Sequence, residues 1–556
     1  MDVATVDDLA RPDRPTEALG TPDEPPPDEP ELHGPWRTVA IAGVVLVIAV
    51  GIVLRFWTRS GMWLDEALTV DIARKPLDQL HGLLRQDGAP PLYYLLLHFW
   101  IKPFGTSDLG VRSLSGVISV ITLPFAWLAG RTYGRQSAWG VVVLLASAPF
   151  AIYYGTEARM YSLVMLLTVL GFLAITSAMR RPRPANLVAM AVVVAALLYS
   201  QYWAIFLVAT VALWLLWQGR KGQPDESRRT NARWSFGALA VGCLCFVPWL
   251  PTFFFQSRHT GTPWAVAGNF GAIVSALTGF TDNQATLSTV GSNQGRLLAI
   301  IYLVLAFLAV FGVSRDRWHI DLDLHTRPRT RAVAFVVFAT LVIAVGGGLL
   351  TKSGYSNRYA SVVFIPFLLL VVLGALTLRD HRARAVVFGA AALAGLGVGA
   401  QNVTTQRTQA PAVAAVLLAQ AKPGDVVAFC PDQLGPSVYR LTASRGYEEI
   451  AYPRSNGPAI IDWVDYKSAI RAAPTTSFVS EIQTRAGARH SIWLVWALNY
   501  QGYGTRCETI ATQLLQTAGY GGHQWVTQRP TKYYEPMNLI QYVKLPSAAP
   551  GQSTGS

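Results

Sequence analysis

The feature that most constrains this chain is a series of apolar runs, most of them about 17–20 residues long, separated by short polar connections. A helix of that length crosses about 30 Å of hydrocarbon, and its backbone groups bond to one another. The composition agrees, because 51% of the 556 residues are hydrophobic, only 14% are charged and the mean hydropathy is +0.31. The sequence therefore predicts a polytopic α-helical membrane protein.

Eleven membrane spans are predicted from these runs, at residues 38–56, 111–130, 137–153, 160–179, 186–199, 204–218, 234–250, 296–314, 332–350, 360–378 and 385–401. Five alternate connections hold 18 Lys and Arg against six Asp and Glu, namely 131–136, 180–184, 219–233, 315–331 and 379–384. Because basic loops stay in the cytoplasm, this alternation predicts an N-terminus inside and a C-terminus outside. It also accounts for most of the net charge of +13, so the charge does not indicate a nucleic-acid partner.

The two ends of the chain differ in composition from its apolar centre. Residues 1–36 hold ten Asp and Glu, two Arg and a run of three prolines, so residues 1–37 are predicted to be a disordered cytoplasmic tail. Residues 402–546 alternate between strand-like and helical runs, which predicts a small extracytoplasmic α/β domain. Residues 547–556 are predicted to be a flexible tail. The predicted strands are 426–429, 492–496 and 539–543.

The connection between the first two spans, residues 57–110, is predicted to lie wholly on the outer side. Its apolar stretch 91–101 is too short to cross a bilayer and is interpreted as interfacial or re-entrant. Leu64, Leu68 and Ile72 recur at helical spacing. Residues 64–74 are therefore predicted to form a short helix that lies on the membrane surface.

A carboxylate pair, Asp65 and Glu66, stands at the start of that helix in the sequence WLDEAL (63–68). Carboxylates are costly near hydrocarbon, so a pair of them at the interface needs a reason. In one interpretation Asp65 caps the helix and Glu66 favours its dipole. In the other, Asp65 is a general base that takes the proton of an acceptor hydroxyl as its oxygen attacks a sugar carbon. The two roles are compatible.

Two further groups of polar residues are predicted to lie on the same outer side. In PFAIYYGTEARMY (149–161), Glu157 and Arg159 could line a cavity and hold an acceptor, a metal or a phosphate. In KSGYSNRY (352–359), the planar fork of Arg358 suits phosphate oxygens. An aromatic belt and snorkelling arginines are the alternative interpretation of both groups. The candidates for binding a donor phosphate are Lys352, Arg358 and Tyr359.

The sequence contains no nucleotide-binding glycine loop, no Ser/His/Asp arrangement and no zinc-ligand spacing. A lipid phosphate is therefore a better candidate for an activated donor than a nucleotide sugar. No spacing demands a metal, although Asp65, Glu66 and Glu157 could offer oxygen ligands to a divalent cation. Cys430 and Cys507 lie in the outer part, where they could form a disulfide or remain unpaired.

At these residues the chain resembles the GT-C glycosyltransferases, specifically the family-39-like bacterial enzymes that use polyprenyl-phosphate sugars and the protein O-mannosyltransferases. The matching pieces are WLDEA (63–67), APPLYY (89–94), RSLS (112–115), PFAIYYGTEARMY (149–161) and NRY (357–359). The resemblance implies that Asp65 is the catalytic carboxylate and that Arg358 lines the donor cavity. Further cavity candidates are Glu66, Tyr93, Tyr94, Glu157 and Arg159. Relatives often carry a basic residue where this chain has Ala89.

Among these relatives the chain is most similar to actinobacterial mannosyltransferases of lipoglycan synthesis, including those that begin the mannose capping of lipoarabinomannan. The resemblance implies a multi-pass plasma-membrane enzyme with an extracytoplasmic active site. It would transfer mannose, with inversion, from a polyprenyl-phosphate donor to arabinan termini of lipoarabinomannan or to another glycan. The alternatives are a transporter or flippase of lipid-linked sugars, a protein O-mannosyltransferase, and a scaffold without catalysis.

Overall fold

The structure is a computed structural model, and it describes residues 35–222, 225–261, 269–282, 292–316, 319–325, 327–351, 354–517 and 519–545. The tail predicted at 1–37, apart from its last three residues, and the tail predicted at 547–556 lie outside the described residues.

Helices make up most of the described residues up to residue 404. In chain order they are α1 (Pro35–Leu54), α2 (Leu64–Ala73), α3 (Leu77–Asp87), α4 (Leu92–Phe104), α5 (Asp108–Arg131), α6 (Arg135–Ser147), α7 (Pro149–Gly155), α8 (Tyr161–Arg180), α9 (Pro184–Ser200), α10 (Ala204–Gln218), α11 (Glu226–Leu244), α12 (Leu250–His259), α13 (Gly271–Gly279), α14 (Asn293–Phe311), α15 (Pro328–Thr351), α16 (Ser361–Ala375) and α17 (His381–Thr404). A 3-10 turn, Asn357–Ala360, leads into α16, and the short strands β1 (Gly312–Ser314) and β2 (Ile320–Leu322) form a hairpin between α14 and α15.

Each of the eleven predicted spans coincides with a helix of the structure. Within the described residues, seven helical stretches are long and apolar enough to cross a membrane, and the bent pair α6 and α7 makes an eighth. The remaining three, α9, α10 and the part of α1 from Thr38 to Leu54, are apolar but only 15–17 residues long. The predicted polytopic helical architecture is confirmed.

Helix α16 is the central helix of the bundle. All of its residues from Ser361 to Val372 are buried, and it packs against α6, α8, α14 and α15. Its sequence, SVVFIPFLLLVVLGA, is apolar on every side, which is the pattern of a helix surrounded by other helices. The core of the membrane part therefore contains no charged residue along this central helix.

Side-chain hydrogen bonds join connections of the same predicted side at each end of the helix bundle. At one end, the Asn231 side chain donates to the Met179 carbonyl at 3.0 Å, and Arg384 bonds to Gln136. At the other end, Ser361 donates to Gln201 at 3.1 Å. The C-terminal part sits at this second end, where the short connections between the spans hold few basic residues.

The C-terminal part is an α/β domain built on one five-stranded sheet. Its strands are β3 (Val426–Cys430), β4 (Glu448–Ala451), β5 (Ile492–Trp496), β6 (Tyr520–Val526) and β7 (Asn538–Lys544), in the order β4-β3-β5-β7-β6. Strands β4, β3 and β5 are parallel, whereas β7 and β6 are antiparallel additions. Its helices are α18 (Ala410–Gln420), α19 (Gly435–Thr442), α20 (Tyr466–Ala472), α21 (Thr475–Ala486) and α22 (Arg506–Gln516). The predicted small α/β domain is confirmed.

A disulfide ties the sheet of this domain to one of its helices. Cys430, at the end of β3, is bonded to Cys507 at the start of α22. Of the two states that the sequence leaves open for these cysteines, the structure has the bonded one.

The short helix predicted at 64–74 exists as α2, but its placement on the membrane surface is wrong. All ten of its residues are buried, because it lies between α4 of the outer connection and α19 of the C-terminal domain. Besides Leu64, Leu68 and Ile72, it presents Val70 and Ala73 on its other sides, so apolar residues surround it and both neighbours can cover it.

Candidate active site

The site forms where the start of α2 meets the loops that precede α8 and α16. The Asp65 Oδ2 atom accepts a hydrogen bond from Arg358 Nη1 at 2.7 Å and lies 3.8 Å from Arg159 Nη2. These side chains come from three distant parts of the sequence. The three groups of residues predicted to share one site do meet in the structure.

Asp65 does not cap its helix. Helix α2 begins at Leu64, so Asp65 is its second residue, and the N-cap position belongs to Trp63, whose side chain makes no capping hydrogen bond. The carboxylate instead faces two guanidinium groups. The capping interpretation of Asp65 is therefore wrong.

Glu66 points away from Asp65 and is fully buried, with 0% exposure. Arg112 clasps its carboxylate through two hydrogen bonds, of 2.7 and 2.6 Å, and the Ala158 N–H donates to it at 3.0 Å. Burial opposes ionisation, but Arg112, Arg407 and this N–H together hold the pKa of Glu66 below its usual value. Glu66 ties α2 to α5 and to the loop before α8, rather than facing a cavity.

Glu157 lies beside this pair with both carboxylate oxygens unpartnered. It is 1% exposed, neither oxygen has a hydrogen-bond partner among the described residues, and the nearest ion pair is Arg407 Nη1 at 4.0 Å. Burial raises the pKa of Glu157 to about 7, although Arg407 acts in the opposite direction. This carboxyl group is therefore poised between its two protonation states near neutral pH.

Arg159 is held by residues of the outer connection. Its Nη1 donates to the Thr69 hydroxyl at 2.9 Å and to the Tyr94 hydroxyl at 3.3 Å, and Tyr94 in turn donates to Asp87 at 2.6 Å. Tyr93 is buried next to Tyr94 but bonds to Ser115, at 2.8 Å, so it supports the packing of α4 on α5. Of the two tyrosines, Tyr94 is the one connected to Asp65.

Arg358 is positioned by aromatic rings. Its guanidinium carbon lies 5.7 Å from the centre of the Trp63 ring and 5.8 Å from that of Tyr359, and the Tyr359 ring packs on Trp203 at 5.6 Å. The 3-10 turn that carries Arg358 is anchored by Asn357, which accepts a hydrogen bond from Ser275 at 2.9 Å. The third phosphate candidate, Lys352, lies outside the described residues.

Two arginines of the site were not predicted. Arg112 appears in the matching piece RSLS without a role, and Arg407 is the one charged residue of the polar stretch QNVTTQRTQ (401–409) that follows the last span. Arg407 is 1% exposed, donates to the Thr156 hydroxyl at 2.7 Å, stacks 4.0 Å above the Tyr153 ring and lies 3.7 Å from Glu66. No local sequence pattern distinguishes such a residue from an ordinary loop arginine.

The C-terminal domain also reaches the site. Glu535 accepts a hydrogen bond from the Leu64 N–H at 3.1 Å, and the ring of Tyr534 meets that of Trp63 edge to face at 5.0 Å. Tyr534 is 40% exposed, so this aromatic pair borders the open side of the site. The C-terminal domain therefore lines part of the site.

Several buried polar atoms around Asp65 have no hydrogen-bond partner among the described residues. Burying such an atom unpaired costs free energy, so a group of them indicates a place where a polar ligand binds. These atoms are Trp63 Nε1, both carboxylate oxygens of Glu157, Arg159 Nε, Tyr161 Oη, Arg358 Nε and Arg407 Nε.

Two cavities lie elsewhere. One of about 210 Å³ is lined by Ser60, Gly61, Arg112 and Thr156, and Asp65 is not among its lining residues. The other, of about 540 Å³, is an apolar groove between α14 and α15.

The described residues contain no group of three or more His, Cys, Asp and Glu close enough to hold a metal ion. Of the three carboxylates that could have offered ligands, Glu66 is already occupied by Arg112, and Asp65 is paired with Arg358. The side chains present fit an anionic ligand at Arg358 and Arg159 better than a divalent cation.

Comparison with known proteins gives one family match and several structural ones. Residues 88–251, less than a third of the chain, match the family described as dolichyl-phosphate-mannose-protein mannosyltransferase. A sequence comparison with curated proteins gives no match.

Among solved structures, ArnT from Cupriavidus metallidurans bound to undecaprenyl phosphate aligns with a TM-score of 0.54 and 12% identity, over 91% of this chain and 98% of that one. The oligosaccharyltransferase AglB from Archaeoglobus fulgidus, in complex with an inhibitory peptide and a dolichol-phosphate, aligns with a TM-score of 0.47 and 12% identity, over 93% and 75% of the two chains. The match to ArnT shows a shared fold across nearly the whole chain, and the predicted GT-C fold is confirmed.

Proposed function

We propose that the chain is a membrane glycosyltransferase that moves a sugar from a polyprenyl-phosphate donor to an acceptor hydroxyl, with Asp65 as the base. The observation that carries this proposal is the Asp65 carboxylate, paired with Arg358 at 2.7 Å and near Arg159 at 3.8 Å, among unpartnered buried polar atoms. A base placed beside two cations suits a reaction in which a hydroxyl attacks and a phosphate leaves.

The geometry of Arg358 allows it to serve Asp65 and a phosphate together. Its Nη1 holds Asp65, whereas its Nε has no hydrogen-bond partner among the described residues. Because a guanidinium is a planar fork with five donors, the free edge can bind a phosphate oxygen while the first bond remains. A donor anchored in this way has its sugar within reach of the base.

Transfer then follows as a single displacement. The acceptor hydroxyl gives its proton to Asp65 as its oxygen forms a bond to the anomeric carbon, and the bond from that carbon to the phosphate oxygen breaks. Polyprenyl phosphate leaves with one more negative charge, which Arg358 and Arg159 stabilise. Attack from the side opposite the leaving group inverts the anomeric carbon.

Mannose is the proposed sugar, and an arabinan terminus of lipoarabinomannan is the proposed acceptor. The family match over residues 88–251, whose description names dolichyl-phosphate mannose, supports mannose as the sugar. The undecaprenyl phosphate bound by ArnT supports a polyprenyl-phosphate ligand. The acceptor rests on the sequence resemblance alone, and a protein hydroxyl is the second candidate because that family's description also names protein as the substrate.

We also propose that the protein lies in the plasma membrane with its site on the extracytoplasmic side. Two observations support this orientation. The basic connections gather at the end of the bundle away from Asp65, as positive-inside bias requires. The Cys430–Cys507 disulfide lies at the same end as Asp65, and disulfides persist in oxidising compartments.

The main alternative is a transporter or flippase of lipid-linked sugars. Such a protein needs a polar route through the bilayer, usually marked by ionisable residues near its middle. The central helix α16 is apolar throughout, and the charged residues of the site gather at one end of the bundle. These features favour chemistry at the membrane surface over transport.

The test is sugar transfer by purified protein supplied with polyprenyl-phosphomannose and an arabinan acceptor. We expect Asp65→Asn to lower kcat by at least a thousandfold, because an amide cannot accept the proton, while the protein still folds. Asp71→Asn is the matched control, since Asp71 is on the same helix and is buried, yet makes no ion pair with Arg358 or Arg159. It should retain activity within about threefold, because Asp71 does not contact the arginines that face Asp65.

Full activity of Asp65→Asn would remove Asp65 as the base. Equal losses in Asp65→Asn and Asp71→Asn would mean that disturbance of α2, rather than loss of the base, causes the defect.

A further inference from the structure

Helix α2 begins without a cap of its own. The N–H groups of Glu66 and Ala67 both bond to the Trp63 carbonyl, but the indole of Trp63 cannot accept a hydrogen bond from the remaining N–H groups of the first turn. Helices usually solve this with Ser, Thr, Asp or Asn at the cap. Here the first helical N–H, that of Leu64, donates to the side chain of Glu535 at 3.1 Å, 471 residues away in sequence.

Glu535 is fixed from several directions. It is 5% exposed, and its second oxygen bonds to the Thr408 hydroxyl at 2.5 Å. Its backbone N–H donates to the Arg407 carbonyl at 2.9 Å, and its own carbonyl accepts the Gln409 N–H at 3.0 Å. These bonds hold the carboxyl group against residues 407–409, which follow the last membrane helix, α17. Because Glu535 also binds the Leu64 N–H, the start of α2 is held in place with it.

Burial disfavours the charged form of the Glu535 carboxyl group. It raises the pKa of Glu535 to about 8, more than the hydrogen bonds from Thr408 and the Leu64 N–H lower it. One carboxyl oxygen accepts the Leu64 N–H, and the other accepts the Thr408 hydroxyl, whose own oxygen accepts the Ala410 N–H at 3.0 Å. A neutral group also avoids placing a second negative charge next to Asp65.

We propose that Glu535 of the C-terminal domain is a positioning residue for Asp65: it replaces the missing cap of α2 and so fixes the distance between the Asp65 carboxylate and Arg358. The proposal rests on the proposed function. Asp65 follows Leu64 directly, so any change in where the helix begins moves its carboxylate. A displacement of about 1 Å is enough to cost on the order of a hundredfold in rate.

The experiment compares two variants that differ only in their ability to cap. Glu535→Gln keeps an acceptor for the Leu64 N–H and a polar group beside the Thr408 hydroxyl, so kcat should stay within about threefold of the wild-type value. Glu535→Met has a similar volume but cannot cap, so kcat should fall on the order of ten- to a hundredfold with little change in KM for the donor. If the Met variant does not fold, Glu535→Asp, whose carboxyl is one methylene further from Leu64, replaces it with the same expected fall.

Glu449→Met is the control, because Glu449 is a partly buried glutamate of the same domain whose burial raises its pKa to about 7. Among the described residues its side chain forms no hydrogen bond or ion pair with α2. It should leave kcat unchanged. Hydrogen exchange gives a readout independent of activity: the amides of residues 63–67 should exchange faster in Glu535→Met than in the wild type or in Glu449→Met.

Wild-type kcat in Glu535→Met would overturn the proposal, and so would a Gln variant as inactive as the Met variant, since the cap needs no charge. Equal loss in Glu449→Met would assign the effect to general instability of the domain and would also overturn it. An inactive wild-type protein would instead refute the proposed function, which separates the two failures.

Discussion

Asp65 and Glu66 are adjacent in the sequence, yet they have different surroundings. Neighbouring residues of a helix point about 100° apart, so one carboxylate faces Arg358 and the other faces Arg112. Arg358 holds Asp65 through one bond at the edge of the site, whereas Arg112 binds Glu66 through two bonds in full burial. The first arrangement leaves the proposed base at the edge of the site, and the second builds a rigid support.

The Glu66–Arg112 pair should be required for stability rather than for chemistry. Removing one partner leaves the other charge buried without compensation, so Arg112→Ala should lower the free energy of unfolding by about 3–5 kcal/mol. The double variant Glu66→Leu with Arg112→Met removes both charges and should recover part of this loss. Thermal unfolding of purified protein in detergent measures both.

Arg131→Ala is the control for that comparison, because Arg131 is at the exposed far end of the same helix, α5. It should change the free energy of unfolding by less than about 0.5 kcal/mol. If Arg112→Ala proved as mild as Arg131→Ala, the pair would not be a structural anchor.

At the scale of elements, what the sequence predicts depends on whether the information is local. The helical spacing of Leu64, Leu68 and Ile72 correctly predicts α2, and the apolar runs correctly predict β3 and β5. The burial of α2 was missed because its cover, α19, lies some 370 residues further on. Apolar residues on every side of α2 were the available signal.

The same limit applies to the site. Asp65, Glu157 and Arg358 could be selected because each stands in a short polar piece at the outer end of a predicted span. Arg407 and Glu535 stand in ordinary loop sequence, and only tertiary packing brings them to α2. Their roles depend on contacts across more than 300 residues, which a single sequence without repeats or motifs does not specify.

The disulfide should hold the C-terminal domain in its folded form. It closes a loop of 77 residues, and a crosslink of that length stabilises a folded domain by up to about 4 kcal/mol in the chain-entropy account. We expect Cys430→Ser with Cys507→Ser to lower the melting temperature of the detergent-purified protein. Cys245→Ser should not, since Cys245 is free and exposed.

Thiol labelling checks the same bond directly. In unreduced, denatured protein a maleimide should label only Cys243 and Cys245, and all four cysteines should be labelled after reduction. Labelling of all four without a reductant would contradict the disulfide.

At the scale of the whole molecule, the two ends of the helix bundle have different chemistry. One end carries the basic connections, and the other carries Asp65, the arginines that face it and the α/β domain. This separation is what a membrane enzyme needs if its lipid-borne substrate is presented on one face only.

Reporter fusions test that orientation. A reporter active only outside the cytoplasm should be active when fused after residue 410 and silent when fused within residues 220–230. A cytoplasmic reporter should give the opposite pattern at the same two positions. If the first reporter were active at 220–230 and silent after 410, the site would face the cytoplasm and the proposed location would be wrong.

The hydrogen bond between Leu64 and Glu535 joins residues that are synthesised at different times. A chain that is still being synthesised threads its first outer connection across the membrane hundreds of residues before its partner emerges. During that interval the first N–H of α2 lacks its acceptor. If Glu535 positions Asp65 as proposed, transfer reaches its full rate only after Glu535 has crossed the membrane.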